Sequence, residues 1–130
     1  MIIGDWQTVV LDYDKTAEYS GQDIDTTSDL FDLTGGVSEK GFYDGFEIIV
    51  PTIETGTLSL LIAQTSTITE VPVPLHVSNG VGSTVIWTVA SGTGGLQVAA
   101  FNVGAIRFGR IKTGGNQSAN RTFYIRGFKH

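Results

Sequence analysis

Apolar and polar residues alternate with a period of two along most of this chain, and no stretch carries the 3.6-residue repeat of an amphipathic helix. The pattern predicts strands near 5–12, 29–34, 45–50, 56–64, 68–77, 83–89, 96–101, 105–112 and 121–128. Turn signals separate them: TGG at 34–36, DG at 44–45, ETG at 54–56, NG at 79–80 and SGTGG at 91–95. Eight or nine short strands at such regular spacing predict an all-β fold. It is expected to be a single β-sandwich over residues 1–130, jelly-roll-like, with antiparallel strands.

Two segments can be read more closely. In VPVPLHV (71–77), Val71, Val73, Leu75 and Val77 share one parity and Pro72, Pro74 and His76 the other. Proline has no N–H, so two prolines at that spacing cannot face a paired strand, and the segment reads as a sheet edge. A polyproline-like connector is the alternative. The stretch IRFGRIKTGGNQSANRTFYIRGFKH (106–130) reads as a hairpin, with Ile106 and Phe108 inward on one strand, Phe123 and Ile125 inward on the other, and 113–120 as the loop. Strict alternation would then bury Arg110 and expose Ile111. A bulge at Gly109 would restore Ile111 to the core and turn Arg110 and Lys112 outward. With Arg107, Arg121, Tyr124 and Arg126 they would form a cationic patch, a candidate partner interface. The rival arrangement buries Arg110 against a carboxylate from the earlier half of the chain.

Charge sharpens that choice. Residues 1–70 carry 13 acids and 2 bases, a net −11; residues 71–130 carry no acid and 6 bases, a net +6, giving −5 in all. Only 16% of residues are charged and 41% are hydrophobic, so much of the surface must be uncharged. The chain has no cysteine, which excludes disulfide and thiolate chemistry. No basic-then-apolar leader opens the sequence, and apolar runs such as LSLLIA are too short to span a bilayer, so synthesis in the cytoplasm and no membrane partner are expected.

Candidate chemistry is sparse. His76 lies on the proline side of an edge strand and His130 at position 130, with no nucleophile motif to serve, so no catalytic residue is assigned. Asp12 with Asp14 and Asp23 with Asp25 are spaced two apart, as any chain rich in acids produces. Asp23, Asp25 and Asp29 could hold an irregular calcium ion, but Ser28 and Thr34 stand where a calcium loop needs Gly and Glu. No glycine-rich turn precedes a helix that could cradle a phosphate. The net charge has the wrong sign for nucleic acid. No metal or cofactor is therefore expected. Trp6, Tyr13, Tyr19, Tyr43 and Tyr124 could stack on sugar rings, whereas Trp87, between Val85 and Val89, reads as core.

DWQTVVLDYD (5–14), FEIIVPTIETGTLSLLIAQ (46–64) and IRFGRIKTGGNQSANRTFYIRG (106–127) together resemble small virion proteins of tailed bacteriophages, of the head decoration (cement) type. The most telling part is Phe108 to Lys112, the Gly/Asn/Gln/Ser-rich loop 113–120, and Arg121 to Phe123. The resemblance implies a β-sandwich or jelly roll on the capsid exterior that binds the major capsid protein, commonly as a homotrimer and without enzymatic activity. Tail and baseplate proteins share such sandwiches, which leaves host-surface attachment open. AIRFGRIK (105–112) also resembles a strand of discoidin-like carbohydrate-binding domains, so surface glycans are a second class of partner. On the virion reading, the split of charge would suit repeated packing of an acidic region of one copy against a basic region of the next.

Overall fold

The computed structural model describes residues 1–36, 41–54, 56–78, 81, 84–90 and 95–130, backbone only at 84 and 90. The turn expected at 79–80, most of that at 91–95 and Thr55 of the turn at 54–56 lie outside them. Twelve short strands run through the described residues. They are β1 (Ile2–Ile3), β2 (Gln7–Leu11), β3 (Phe31–Asp32), β4 (Gly45–Val50), β5 (Thr57–Ala63) and β6 (Val73–Pro74). After them come β7 (His76–Ser78), β8 (Thr84–Ile86), β9 (Thr88–Ala90), β10 (Leu96–Ala100), β11 (Phe108–Thr113) and β12 (Arg121–Lys129).

Two main antiparallel sheets make a sandwich of the jelly-roll kind. In the first, β12 lies between β4 on one side and β1 with β2 on the other, and β10 closes the far edge beside β4. In the second, the order is β3-β11-β5-β6, with β9 also paired to β5; β7 and β8 form a separate hairpin. Alternation sets which side chains meet between the sheets. Val9, Leu11, Phe46, Ile48, Phe123 and Ile125 come from the first and Phe31, Leu58, Leu60 and Ile111 from the second. Trp87 closes one end of this core, edge-on to Phe46 at 5.0 Å between ring centroids.

The sandwich and its antiparallel strands are as the alternation predicts, and β6 does stand at a sheet edge. Within that edge the parity differs from expectation. Pro72 and Leu75 are buried while Val71 and Val73 are exposed, because the Leu75 N–H bonds Leu60 O and the chain then turns away to pair with β8. Segments expected to be single strands, 68–77 and 83–89, are each split by a residue that bonds across the break: Trp87 donates its N–H to Leu75 O.

The expected hairpin of 106–130 is not one. β11 belongs to the second sheet and β12 to the first, so 114–120 is a crossover. Its anchor is the buried Gln117, whose Oε1 accepts the Glu54 N–H at 2.9 Å while its own N–H bonds Asp25 O. Nor is there a bulge at Gly109, since β11 and β5 pair without interruption from Phe108↔Ala63 to Thr113↔Leu58. The parity problem is solved one residue earlier. Ile106 bridges Tyr43 and ends its turn in the core; two residues on, Phe108 has entered the second sheet. Gly109 is instead needed for space, because a side chain there would strike the Phe31 ring and Leu61 O.

Candidate interaction surface

On β11 the residues facing away from the core are Phe108, Arg110 and Lys112, opposite Ala63, Leu61 and Ser59 of β5. Phe108, Leu61 and Ala63 are nevertheless buried, and Arg110 is only 1% exposed. The outer face of the second sheet is covered by the chain itself, and Arg110 fastens the cover. Its Nη1 donates to Glu18 Oε1 at 2.8 Å and to Ser28 O at 3.2 Å; its Nη2 donates to Ile68 O at 3.1 Å. The guanidinium also sits 5.0 Å from the Tyr19 ring centroid, and its buried Nε has no partner among the described residues. Arg110 thus joins an arm, residues 15–30, and the loop 64–70 to the strand, alongside the arm's own bonds to β11 from the Ser28 N–H to Ile111 O and from the Thr113 N–H to Thr26 O. Lys15 extends the clamp, bonding Glu18 at 3.1 Å and also Asp29. Glu70 shapes the loop by accepting the Gln64 and Thr65 N–H groups at 2.7 and 3.0 Å.

The pKa directions follow from this wiring. Burial alone would raise the Glu18 carboxyl, but hydrogen bonds from Arg110 and Lys15 outweigh it and hold the group below its ordinary value. Burial opposes the charge on Lys15 as well, and Asp29 with Glu18 push it above its ordinary value. At Asp32, desolvation is likewise overcome, here by Arg107 and Thr34, so its pKa is lowered; Arg107 is raised by the same bond.

The six residues expected to form one interface are placed apart. Arg107 forks onto Asp32, Nε–Oδ1 and Nη2–Oδ2 both at 3.1 Å, with its guanidinium 4.6 Å from the Phe108 ring centroid. Arg110 lies under the arm, as the rival arrangement had it. Lys112 is exposed beside them and makes no ion pair among the described residues. Arg121 is at the crossover, with Gln117 Oε1 at 3.1 Å and Glu54 at 3.7 Å. Arg110 and Lys112 share the outer face of the second sheet, and Tyr124 and Arg126 the outer face of the first, where Arg126 pairs with Glu47 and lies 4.4 Å from the Trp6 ring centroid. Each of the four arginines therefore meets a carboxylate from the first half of the chain. The cationic patch dissolves, and the uneven charge of the halves becomes internal pairing.

Among the described residues, no segment covers that outer face of the first sheet. Its central row is the Glu47–Arg126 pair with Ala99 and Trp6 at the ends. One neighbouring row holds Gln97, Ile49, Tyr124 and Thr8 in register. On the other side the Phe128 ring lies over Gly45, where no side chain would fit, and meets Phe101 at 5.0 Å between centroids. Asn102, at φ 55°, turns the chain directly after Phe101. A groove of about 200 Å³ opens here, lined by Met1, Ile3, Glu47, Ala99, Phe101 and Phe128. Sequence reasoning missed this face, although consecutive apolar residues in FEIIV and VAAF signal strands that are apolar on both sides.

The remaining candidates fall out differently. Tyr43 is 1% exposed, wedged against Gly4 and Gly127, and no sugar could reach it. Tyr13 and Tyr124 keep exposed rings. Among the described residues no group of three or more His, Cys, Asp and Glu is placed to hold a metal ion, and Asp29 of the calcium candidate is taken by Lys15. His76 is exposed, with Nδ1 3.1 Å from Pro74 O. No described helix is long and apolar enough to cross a membrane. No protein-family model, curated protein or solved structure matches the chain.

Proposed function

We propose that this chain is a non-enzymatic structural subunit of a bacteriophage virion, decorating and stabilising the outside of the capsid as an oligomer bound to the major capsid protein. The supporting observation is how the chain spends its polar groups. All four arginines are neutralised internally, and among the described residues what is left facing outward as a continuous feature is an apolar sheet face suited to protein contact. A jelly-roll-like sandwich with that division agrees with the resemblance carried by 5–14, 46–64 and 106–127. The resemblance suggests a trimer, but the charge-matched packing that would have favoured head-to-side repeats loses its motive once the basic residues are paired at home.

Decoration of this kind stabilises a shell by mass action, since binding only the assembled state favours it. The test is to add purified protein to shells assembled without it and follow occupancy by co-sedimentation and shell melting by light scattering. Saturable binding with a raised melting temperature is expected; absence of binding at micromolar protein refutes the proposal. A carbohydrate-binding or host-attachment role rests on the exposed Trp6, Tyr13 and Tyr124, and would be favoured if Tyr124→Ala abolished saturable glycan binding.

A further inference from the structure

We infer that the outer face of the first sheet is a self-association surface on which two copies pack face to face about a two-fold axis. This deepens the structural-subunit reading and rests on it only in supposing that the chain works by packing against protein. Three observations carry it.

The first is area. Met1, Ile3, Phe101, Ile49, Tyr124 and Trp6 are between 37% and 71% exposed on this one face. Together they present on the order of 600 Å² of largely apolar surface, since such side chains offer about 150–250 Å² each. That is at the upper limit of what a monomer leaves open, and with the polar rim of Thr8, Thr122 and Gln97 it approaches the roughly 800 Å² per partner of a stable interface.

The second is local charge. Along the outward positions of β2, β12, β4 and β10 the ionised groups are Glu47 and Arg126, which neutralise each other. A two-fold contact places like on like, so any uncompensated charge at its centre would repel itself. Here the centre is a neutral pair, already mostly desolvated at 16% and 29% side-chain exposure, with Gln97 and the Trp6 ring completing its contacts. Sealing it therefore adds little desolvation. An Arg and a Tyr toward the middle of the patch, with a Trp at its edge, is also a composition that interface hot spots favour.

The third is global charge. Two chains of net −5 repel. Of the carboxylates that make no ion pair among the described residues, Asp23 and Asp25 lie within the arm that Arg110 holds on the second sheet. Meeting through the first sheets puts four sheet layers, roughly 30 Å, between the two arms, several Debye lengths at physiological salt. Meeting through the second sheets would press the arms together.

The experiment is solution mass by sedimentation and light scattering from micromolar to sub-millimolar protein, on the wild type, on Phe101→Asp and Ile49→Asp, and on Val73→Asp as a control at the β6 edge. The expected result is a dimer of the 13.9 kDa chain. Phe101→Asp and Ile49→Asp should each weaken dimerisation about 100-fold while leaving the circular dichroism of the monomer unchanged, and Val73→Asp should leave the dimer intact. A wild type that stays monomeric, a trimer, or a dimer that survives both face substitutions overturns the inference. Shell binding is read separately: a monomer that still stabilises shells refutes the two-fold contact and spares the proposed function, and a dimer that ignores shells does the reverse.

Discussion

Removing Glu18 should cost more than removing Arg110, although they are two halves of one ion pair. Glu18→Ala strands a guanidinium at 1% exposure, with only the carbonyls of Ser28 and Ile68 and the Tyr19 ring for company. Orphaning one member of a buried pair costs about 3–5 kcal/mol, and the lower end applies because the Glu18 side chain keeps 14% of its surface in water. Arg110→Met leaves behind a carboxylate that still has Lys15 at 3.1 Å, and it gives up an Nε that was bonded to nothing. Its cost is the two carbonyl bonds and the pairing, about 2 kcal/mol. Arg110→Met with Glu18→Leu removes both charges and fills the site with apolar volume, so the double variant should return to within about 1 kcal/mol of wild type. Urea denaturation reads these differences directly. With a slope of roughly 1.5 kcal/mol per M, Glu18→Ala should lower the midpoint by about 2 M. The reasoning fails if Glu18→Ala costs less than about 1 kcal/mol, or if the double variant is destabilised by the sum of the singles, which would mean that the two charges are not coupled.

Acid should loosen the arm first: Glu18 and Asp32 have folded pKa values below their ordinary ones, so the stability they contribute is present above the ordinary carboxylate range and is lost as pH falls through the folded values. Proteolytic cleavage within 15–30 should therefore accelerate below about pH 4 ahead of global unfolding, and Arg107→Gln and Arg110→Met should flatten that profile. Lys15 acts in the opposite sense, contributing below its ordinary value and losing the contribution as pH rises through its raised one; alkaline melts of Lys15→Met should lack that loss. Gly127→Ala would drive a methyl group into the Tyr43 ring and should lower the melting temperature by about 10 °C, or 2–3 kcal/mol, whereas Gly21→Ala, open on all sides but at φ 84°, should cost about 1 kcal/mol. Lys112→Glu should change stability by less than about 0.5 kcal/mol in the same melts, because the side chain is exposed and unpaired.

Most strands were legible from a local rule, alternation in 7–11, 45–50, 57–63 and 121–129 and glycine-bearing turns between several of them, whereas β1 at Ile2–Ile3 was not expected. Which strand faces which was not legible. The hairpin reading of 106–130 assumed that neighbours in sequence pair, whereas the buried Gln117 carries the chain from one sheet to the other. The bulge at Gly109 answered a real conflict of parity in the wrong place, since nothing local marks residues 106–108 as the change of sheet. The charge asymmetry was plain in the sequence, but its meaning depended on register: Arg126 opposite Glu47, and Asp32 beside Arg107, are separations of 79 and 75 residues. Tyr43 looked available because the glycines that make its slot, Gly4 and Gly127, are distant in sequence.

The arginine pairs also set an order of events during synthesis. A chain that has emerged only as far as Glu70 carries both edges of the first sheet's centre but not the centre, because β12 is still to be made; the second sheet likewise lacks β11. Residues 1–70 carry a net −11. Such a segment repels itself, stays expanded, and discourages its unpaired edges from zipping onto a neighbouring chain. When residues 107–126 arrive they bring both the missing central strands and the cations that discharge the repulsion. Strand pairing and neutralisation therefore coincide, since the strands that complete both sheets carry or adjoin the cations that offset the earlier charge.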